Sequence, residues 1–234
     1  HLSRLRALEA RLMADGRMSY GMKYWGADVT GRWSGDAGFN VQNMPAESKY
    51  GVNIRNMITA PEGCKYIVAD LANIEPRITA FVTEDFETLD LIRGGMSIYE
   101  AHARQTMGWT GGKLKEEDPE LYALAKVRVL QLGYGSGWFK FAETVKQYGQ
   151  HHILDNDFSR ADEIRFIEFA KAYQPGKASM YPTLPTEERR LWVNAFIQVS
   201  DFRDKNPAIT ELWKSLDREL KTTANDGEDF EVPI

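Results

Sequence analysis

From Asn73 onward the chain keeps returning to one pattern, with apolar residues recurring every three or four positions in window after window. That periodicity predicts helices over 86–93, 97–107, 117–133, 137–149, 159–173, 186–200 and 207–222. In the last of these, Ile209, Leu212, Trp213, Leu216 and Leu220 form one apolar stripe. Asn73 stands where an N-cap is expected, and Pro76 falls in the first turn, where its missing N–H does no harm. "SRAD" reads as a capping box at Ser159. "YQPGKASMYPTLP" reads as a Pro/Gly linker between two helices.

The part before Asn73 has a different character. Leu2, Leu5, Leu8 and Leu12 have helical spacing and stop at Gly16, and "RMSYGMKYW" reads as a strand. Residues 26–51 are expected to be a long Gly-, Asn- and Ser-rich loop, of the kind that is functional more often than structural. "NMITAP" and "KYIVADL" read as two further strands. The expected architecture is α+β: a small antiparallel sheet segment over 1–80, then a predominantly helical part over 81–234.

The 234 residues are 43% hydrophobic, enough to bury a sizeable core in one large domain or two small ones. The single cysteine, Cys64, cannot form an internal disulfide, so a reducing, cytoplasmic location is expected. No apolar run approaches the ~20 residues of a membrane helix, so no membrane partner is expected. The net charge of −5 argues weakly against nucleic acid, but it hides an asymmetry. Residues 1–60 hold eight Lys/Arg against five Asp/Glu, a net of +3 that leaves −8 for the remainder. A basic first quarter permits a phosphate-binding surface. The chain opens on His1 rather than Met and stops at "GEDFEVPI", which suggests a fragment.

Asp70 ends the apolar run Tyr66-Ile67-Val68-Ala69, and Glu75 follows five residues later. A carboxylate at a strand end either caps the next turn or binds a cation, since a desolvated carboxylate needs a partner. The residues around Asp70 alone leave both readings open. Tyr122, Lys126, Leu130 and Tyr134 fall at i, i+4, i+8 and i+12 of the expected helix near 117–134. That row is either an ordinary half-buried face with Lys126 snorkelling or one side of a binding site.

Read together, these stretches resemble family A DNA polymerases, in their phage branch. "DLANIEPR" is similar to that family's first catalytic motif, D-Y-S-Q-I-E-x-R, matching at Asp70, Ile74, Glu75 and Arg77. "TGRWSGDAGFNVQNMP" resembles its T-G-R-L-S-S…L-Q-N-I-P segment at Thr30, Gly31, Arg32, Ser34, Gln42, Asn43 and Pro45. "IRNMITAP" resembles the link between those two, and "KVRVLQLGYG" the second motif with its L-G-Y-G ending. The likeness covers 16–140 well and 141–234 loosely, through "NPAITELW". It implies part of a right-hand polymerase fold: a palm segment over 1–80 and a fingers subdomain over 81–234, with the nucleotide-binding helix near 117–134.

The resemblance also implies roles. Asp70, with the Leu71 carbonyl, would bind two Mg²⁺ ions, and Glu75 would lie under the incoming sugar as a gate against a 2′-OH. Lys126 would neutralise the triphosphate, Leu130 would pack on the nascent pair, and Tyr134 would stack near the template base. Tyr99 stands where many relatives carry a phosphate-contacting His. Arg32, Gln42 and Asn43 would meet minor-groove acceptors, which all base pairs share; Arg77 and Gly135 would also face DNA. The implied partners are primer–template DNA, dNTPs, other replisome proteins, and the rest of the polymerase: thumb, remaining palm and an exonuclease domain.

The chain departs from that pattern in several places. Tyr122 stands where the family has an Arg, so Lys113 or Lys115 becomes the candidate for a second triphosphate cation. Leu130 replaces an aromatic, Gln131 a Gly, and Pro76 after Glu75 is unusual. No His-Asp-Glu triplet, the family's third motif, occurs in the chain, so residues 1–234 alone are expected to be inactive. Asp155 and Asp157 are assigned to the turn before the "SRAD" helix, and His102, His151 and His152 receive no ligand role. The rival readings are a single-subunit RNA polymerase, which Glu75 argues against, and a non-catalytic nucleic-acid-binding relative. A helical metal-dependent nuclease would leave Lys126 and the "TGRW" loop unexplained.

Overall fold

The computed structural model describes residues 2–27, 31–36, 40–44 and 53–226. Thr30 and Pro45, both part of the motif match, lie outside them. The chain divides into two compact units, His1–Asp70 and Leu71–Ile234.

The first unit starts with helix α1, Leu2–Glu9, and continues into strands β1, Met22–Ala27, and β2, Arg32–Gly35. These strands pair antiparallel, Met22 opposite Gly35 and Ala27 opposite Arg32, with a bulge between Lys23 and Ala27. Trp25 takes up the bulge at φ 52°, and its ring lies under Gly31. A Cβ at Gly31 would come within 2.7 Å of that ring, so the turn requires glycine. Residues 26–51, expected as a loop, therefore contain a strand; the Trp33-Ser34 run finds a pairing partner in β1. Leu8 and Ile54 form the unit's small core, with Leu5, Met18, Val41 and Met44 packed around them.

The two strands expected in "NMITAP" and "KYIVADL" do not form. Residues 55–57 make a 3₁₀ turn, and residues 64–70 pair with no strand among the described residues. Ile67 is 95% exposed and Val68 90%, so the pattern that reads as a buried strand is solvated here. A strand is completed by its neighbour's ladder, and local sequence cannot supply one. With these exceptions the fold is α+β, a two-stranded antiparallel sheet followed by helices.

The second unit runs through α2, Ile74–Val82; α3, Phe86–Arg93; α4, Ile98–Thr106; α5, Leu114–Glu117; and α6, Pro119–Val127. A π-helical segment, Arg128–Leu132, continues α6. Then come α7, Trp138–Gln147; α8, Arg160–Tyr173; α9, Pro175–Met180; α10, Thr186–Lys205; and α11, Pro207–Asp226. No helix among the described residues is long and apolar enough to cross a membrane.

Two expectations change here. The helix predicted over 117–133 is three elements, because Asp118 caps a new start at Leu121 N (2.9 Å) and Pro119 opens α6. The predicted Pro/Gly linker contains α9 and a 3₁₀ turn; Pro175 sits in a first turn, where proline starts a helix.

Aromatic side chains hold the larger core. Trp138 of α7 meets Phe166 of α8 edge-on at 5.0 Å and Trp192 of α10 at 5.2 Å, while Phe166 also packs on Tyr181 and Phe196. Each such ring, fully buried, contributes roughly 1.5–3 kcal/mol. A second cluster, Ile92, Ile98, Tyr99, Ala103, Leu114 and Ala125, joins α3, α4, α5 and α6. The capping box is present: Ser159 Oγ accepts from Asp162 N (3.1 Å), and Asp162 Oδ2 accepts from Ser159 N (3.3 Å). Ser159→Ala should therefore cost about 1 kcal/mol, read as a lower urea midpoint at unchanged slope.

Candidate nucleotide-binding site

Asp70 is the last residue of the first unit and is exposed. In the same unit Arg32 is exposed on β2, and Gln42 is exposed in a 3₁₀ turn whose start is capped by Asn40 Oδ1 on Gln42 N (2.9 Å). Asn43 closes that turn.

The second unit gathers most of the remaining candidates. Glu75 lies in the first turn of α2, where the helix dipole favours a carboxylate. Tyr134, just past the π segment, donates its hydroxyl to Glu75 Oε2 (2.5 Å). Two motifs 59 residues apart thus meet in one bond. Arg77 folds back over the start of α2 and donates from Nε to the Ala72 carbonyl (2.9 Å).

Asn73 occupies the N-cap position but does not cap. It stands in the left-handed region at φ 52°, and its side chain makes no cap hydrogen bond. Its Oδ1 accepts instead from the Tyr99 hydroxyl of α4 (3.0 Å). Tyr99 is buried, and burial, together with neighbouring Tyr122, raises its pKa above the ordinary phenol value. Tyr99 meets the ring of Tyr122 edge-on, 5.6 Å between centroids.

Tyr122 and Lys126 lie one turn apart on α6, with Lys126 exposed. The row expected to run on through Leu130 and Tyr134 does not follow one α-helical face. Leu130 belongs to the π segment and packs on the second cluster, and Tyr134 follows that segment in a turn, 53% exposed. Gly135 has φ 74°, the left-handed conformation that favours glycine. A cavity of about 60 Å³ beside Tyr134, touched by Pro76, Thr79, His102, Gln105 and Gly133, has room for a few waters only and is too small for a nucleotide.

The motifs gave no warning of a buried polar network behind the π segment. Arg128 is 2% exposed and donates to Asp201 Oδ2 (2.9 Å) and Gln198 Oε1 (2.6 Å) on α10, and from Nε to His102 Nε2 on α4 (3.3 Å). Lys205 completes it with a 2.8 Å bridge to Asp201. Burial, then the Arg128 charge, pushes His102 down to about 3. Burial alone would raise the Asp201 carboxyl, but hydrogen bonds from Lys205 and Arg128 outweigh it and hold the group below its ordinary value. The one available signal was a charge inside the apolar run "KVRVLQL".

The exposed Asp70 carboxylate is a hard-oxygen donor, the kind Mg²⁺ accepts when phosphates and water complete its octahedron. No group of three or more His, Cys, Asp or Glu side chains placed to hold a metal occurs among the described residues. A lone carboxylate suits an ion whose other ligands come from phosphate and water better than a metal held by protein alone.

Helical body, small sheet and motif order converge with the sequence comparisons. The profile of DNA polymerase family A matches residues 10–198, and the chain belongs to that family. DNA polymerase I of Pseudomonas aeruginosa is 32% identical over 134 residues, 56% of this chain and 14% of that protein. The thermostable DNA polymerase I of Thermus thermophilus is 32% identical over 171 residues, 71% of this chain and 18% of its own length. The DNA polymerase of Bacillus phage SP02 is 28% identical over 159 residues, 56% of this chain and 24% of its own. The chain thus spans between a seventh and a quarter of these relatives.

Proposed function

We propose that the chain is the palm segment and much of the fingers of a larger template-directed DNA polymerase. The reaction is attack of a primer 3′-OH on the α-phosphate of a dNTP, with loss of pyrophosphate. The observation that carries this reading is the Glu75–Tyr134 bond, which ties the stretch following Asp70 to the end of the helix that bears Lys126.

In this reading Asp70 and the Leu71 carbonyl would hold Mg²⁺, two ions of which would supply electrostatic stabilisation of the charge that develops in phosphoryl transfer. Lys126, exposed on α6, neutralises the triphosphate. Glu75, held by Tyr134, lies under the sugar, where a 2′-OH would collide with it; this favours deoxyribonucleotides and disfavours a single-subunit RNA polymerase. Leu130 packs on the nascent pair, Tyr134 stacks near the template base, and Tyr99 backs the nucleotide site through Tyr122. Arg32, Gln42, Asn43, Arg77 and Gly135 line the DNA. The thumb, the remaining palm and the second metal-binding carboxylate come from the rest of the polymerase.

Primer extension by the full-length polymerase tests this. Asp70→Asn and Lys126→Ala should each lower kcat/KM for dNTP by about a hundred-fold, the range seen on removing one charge-stabilising group. Residues 1–234 alone, with a single carboxylate anchor, should extend no primer. Wild-type rates in both variants, or a full-length protein that binds DNA without extending it, would overturn the proposal in favour of a non-catalytic relative.

A further inference from the structure

The loop between α4 and α5 is fixed with unusual thoroughness for an exposed turn. Arg104 reaches across from α4, its guanidinium donating to the carbonyls of Gly111 (2.6 Å) and Gly112 (2.9 Å) while pairing with Glu100 (2.9 Å). Glu100 also accepts from Leu114 N (3.2 Å), Glu117 accepts from Gly112 N (3.0 Å), and Trp109 Nε1 donates to the Gly112 carbonyl (3.1 Å). Leu114 is completely buried beneath the loop. Backbone held by side chains on both sides cannot drift, so the residue after Leu114 projects from a fixed point.

That residue is Lys115. It is exposed and makes no ion pair among the described residues; its ammonium stands 6.0 Å above the ring of Tyr122. Lys113, two residues earlier, is committed to Glu116 at 3.1 Å. Tyr122 is in turn supported from beneath by Tyr99, whose hydroxyl is tied to Asn73. One turn further along α6 stands Lys126, also exposed. Lys115 thus lies over a ring backed by Tyr99, and Lys126 follows one turn along the same helix.

We infer that Lys115 is a second cation for the polyphosphate of the nucleotide, acting with Lys126 across Tyr122. The inference rests on the proposed role of Lys126. A triphosphate carries more negative charge than one lysine offsets, and Lys115, which makes no ion pair among the described residues, lies over the ring that precedes Lys126 by one turn on α6. The Tyr122 face holds that ammonium ready by cation–π attraction, at the outer limit of its range.

The test is single-nucleotide insertion by the full-length polymerase, with KM for dNTP and affinity for primer–template measured separately. Lys115→Ala should raise KM for dNTP about ten-fold, the scale of one charge-assisted contact, and leave primer–template affinity and the thermal midpoint unchanged. Lys115→Arg should restore most of the loss, and Lys113→Ala should stay within about two-fold of wild type, as expected for an exposed pair. An unchanged KM in Lys115→Ala beside an impaired Lys126→Ala overturns the role of Lys115 and leaves the parent reading intact. If both variants bind nucleotide normally, the parent reading falls and this one with it. A loss of primer–template affinity in Lys115→Ala, with KM for dNTP unchanged, makes Lys115 a DNA contact and overturns the inference.

Discussion

Arg128→Ala should destabilise the helical unit by about 3–5 kcal/mol, the scale measured when one partner of a buried ion pair is removed. The guanidinium is buried and fills three directions at once: Asp201 and Gln198 on α10, and His102 on α4. Truncation removes the donor to the Gln198 oxygen, leaves His102 Nε2 with the Thr106 hydroxyl, and leaves Asp201 with Lys205. It also opens a void beside Phe202, whose ring lies 5.8 Å from the guanidinium carbon. Asp201→Ala should cost a comparable amount, because it leaves the buried Arg128 guanidinium without its carboxylate, although Gln198 still accepts from it. Urea unfolding followed by tryptophan fluorescence measures both. A cost below about 1 kcal/mol for Arg128→Ala would mean that the network is ornamental. Arg128→Met combined with Asp201→Leu should recover much of the loss, since apolar pairs of similar volume replace buried ion pairs at little net cost.

Acid should weaken the same region well before ordinary carboxylates titrate. His102 is neutral in the fold because burial, then the Arg128 charge, with Lys205 adding and Asp201 opposing, lowers it to about 3. Its folded value lies below its unfolded one, so the unfolded chain takes up the proton first. The stability it contributes is complete above about pH 6.5 and declines by about 1.4 kcal/mol per unit as pH falls toward the folded value. Asp201 works in a separate window. Its folded pKa lies below the ordinary carboxylate value, so its contribution is present above that value and is lost as pH falls through the folded pKa. Urea midpoints at pH 7, 6 and 5 should fall steadily in the wild type. His102→Gln should flatten that slope, whatever it does to stability at pH 7. A flat wild-type profile between pH 7 and 5 would contradict a buried neutral imidazole.

Helices announced themselves in this chain. The stretch 86–93 was readable to the residue, and Ser159 with Asp162 declared the start of α8, because period and cap are both local properties. What escaped depends on partners distant in sequence. Residues 64–70 carry a good strand pattern, yet Ile67 and Val68 are exposed and no ladder forms beside them among the described residues. Asn73 looked like a cap and became the acceptor for Tyr99, 26 residues away. The motifs indicated that Glu75 and Tyr134 belong to one site, but nothing in them specified the bond between the two. Arg128 resembled any charge on a helix; its burial comes from α10, seventy residues on, where Gln198 and Asp201 wait for it.

The π-helical segment Arg128–Leu132 is a surplus residue written into the chain. Excising one position there would let the backbone relax into an unbroken α-helix, and everything downstream would swing by about 100° relative to what precedes it. Tyr134 would then point away from Glu75, although every motif letter on either side survived. The spelling of this region matters less than its count, and a one-codon deletion would do more damage than most substitutions.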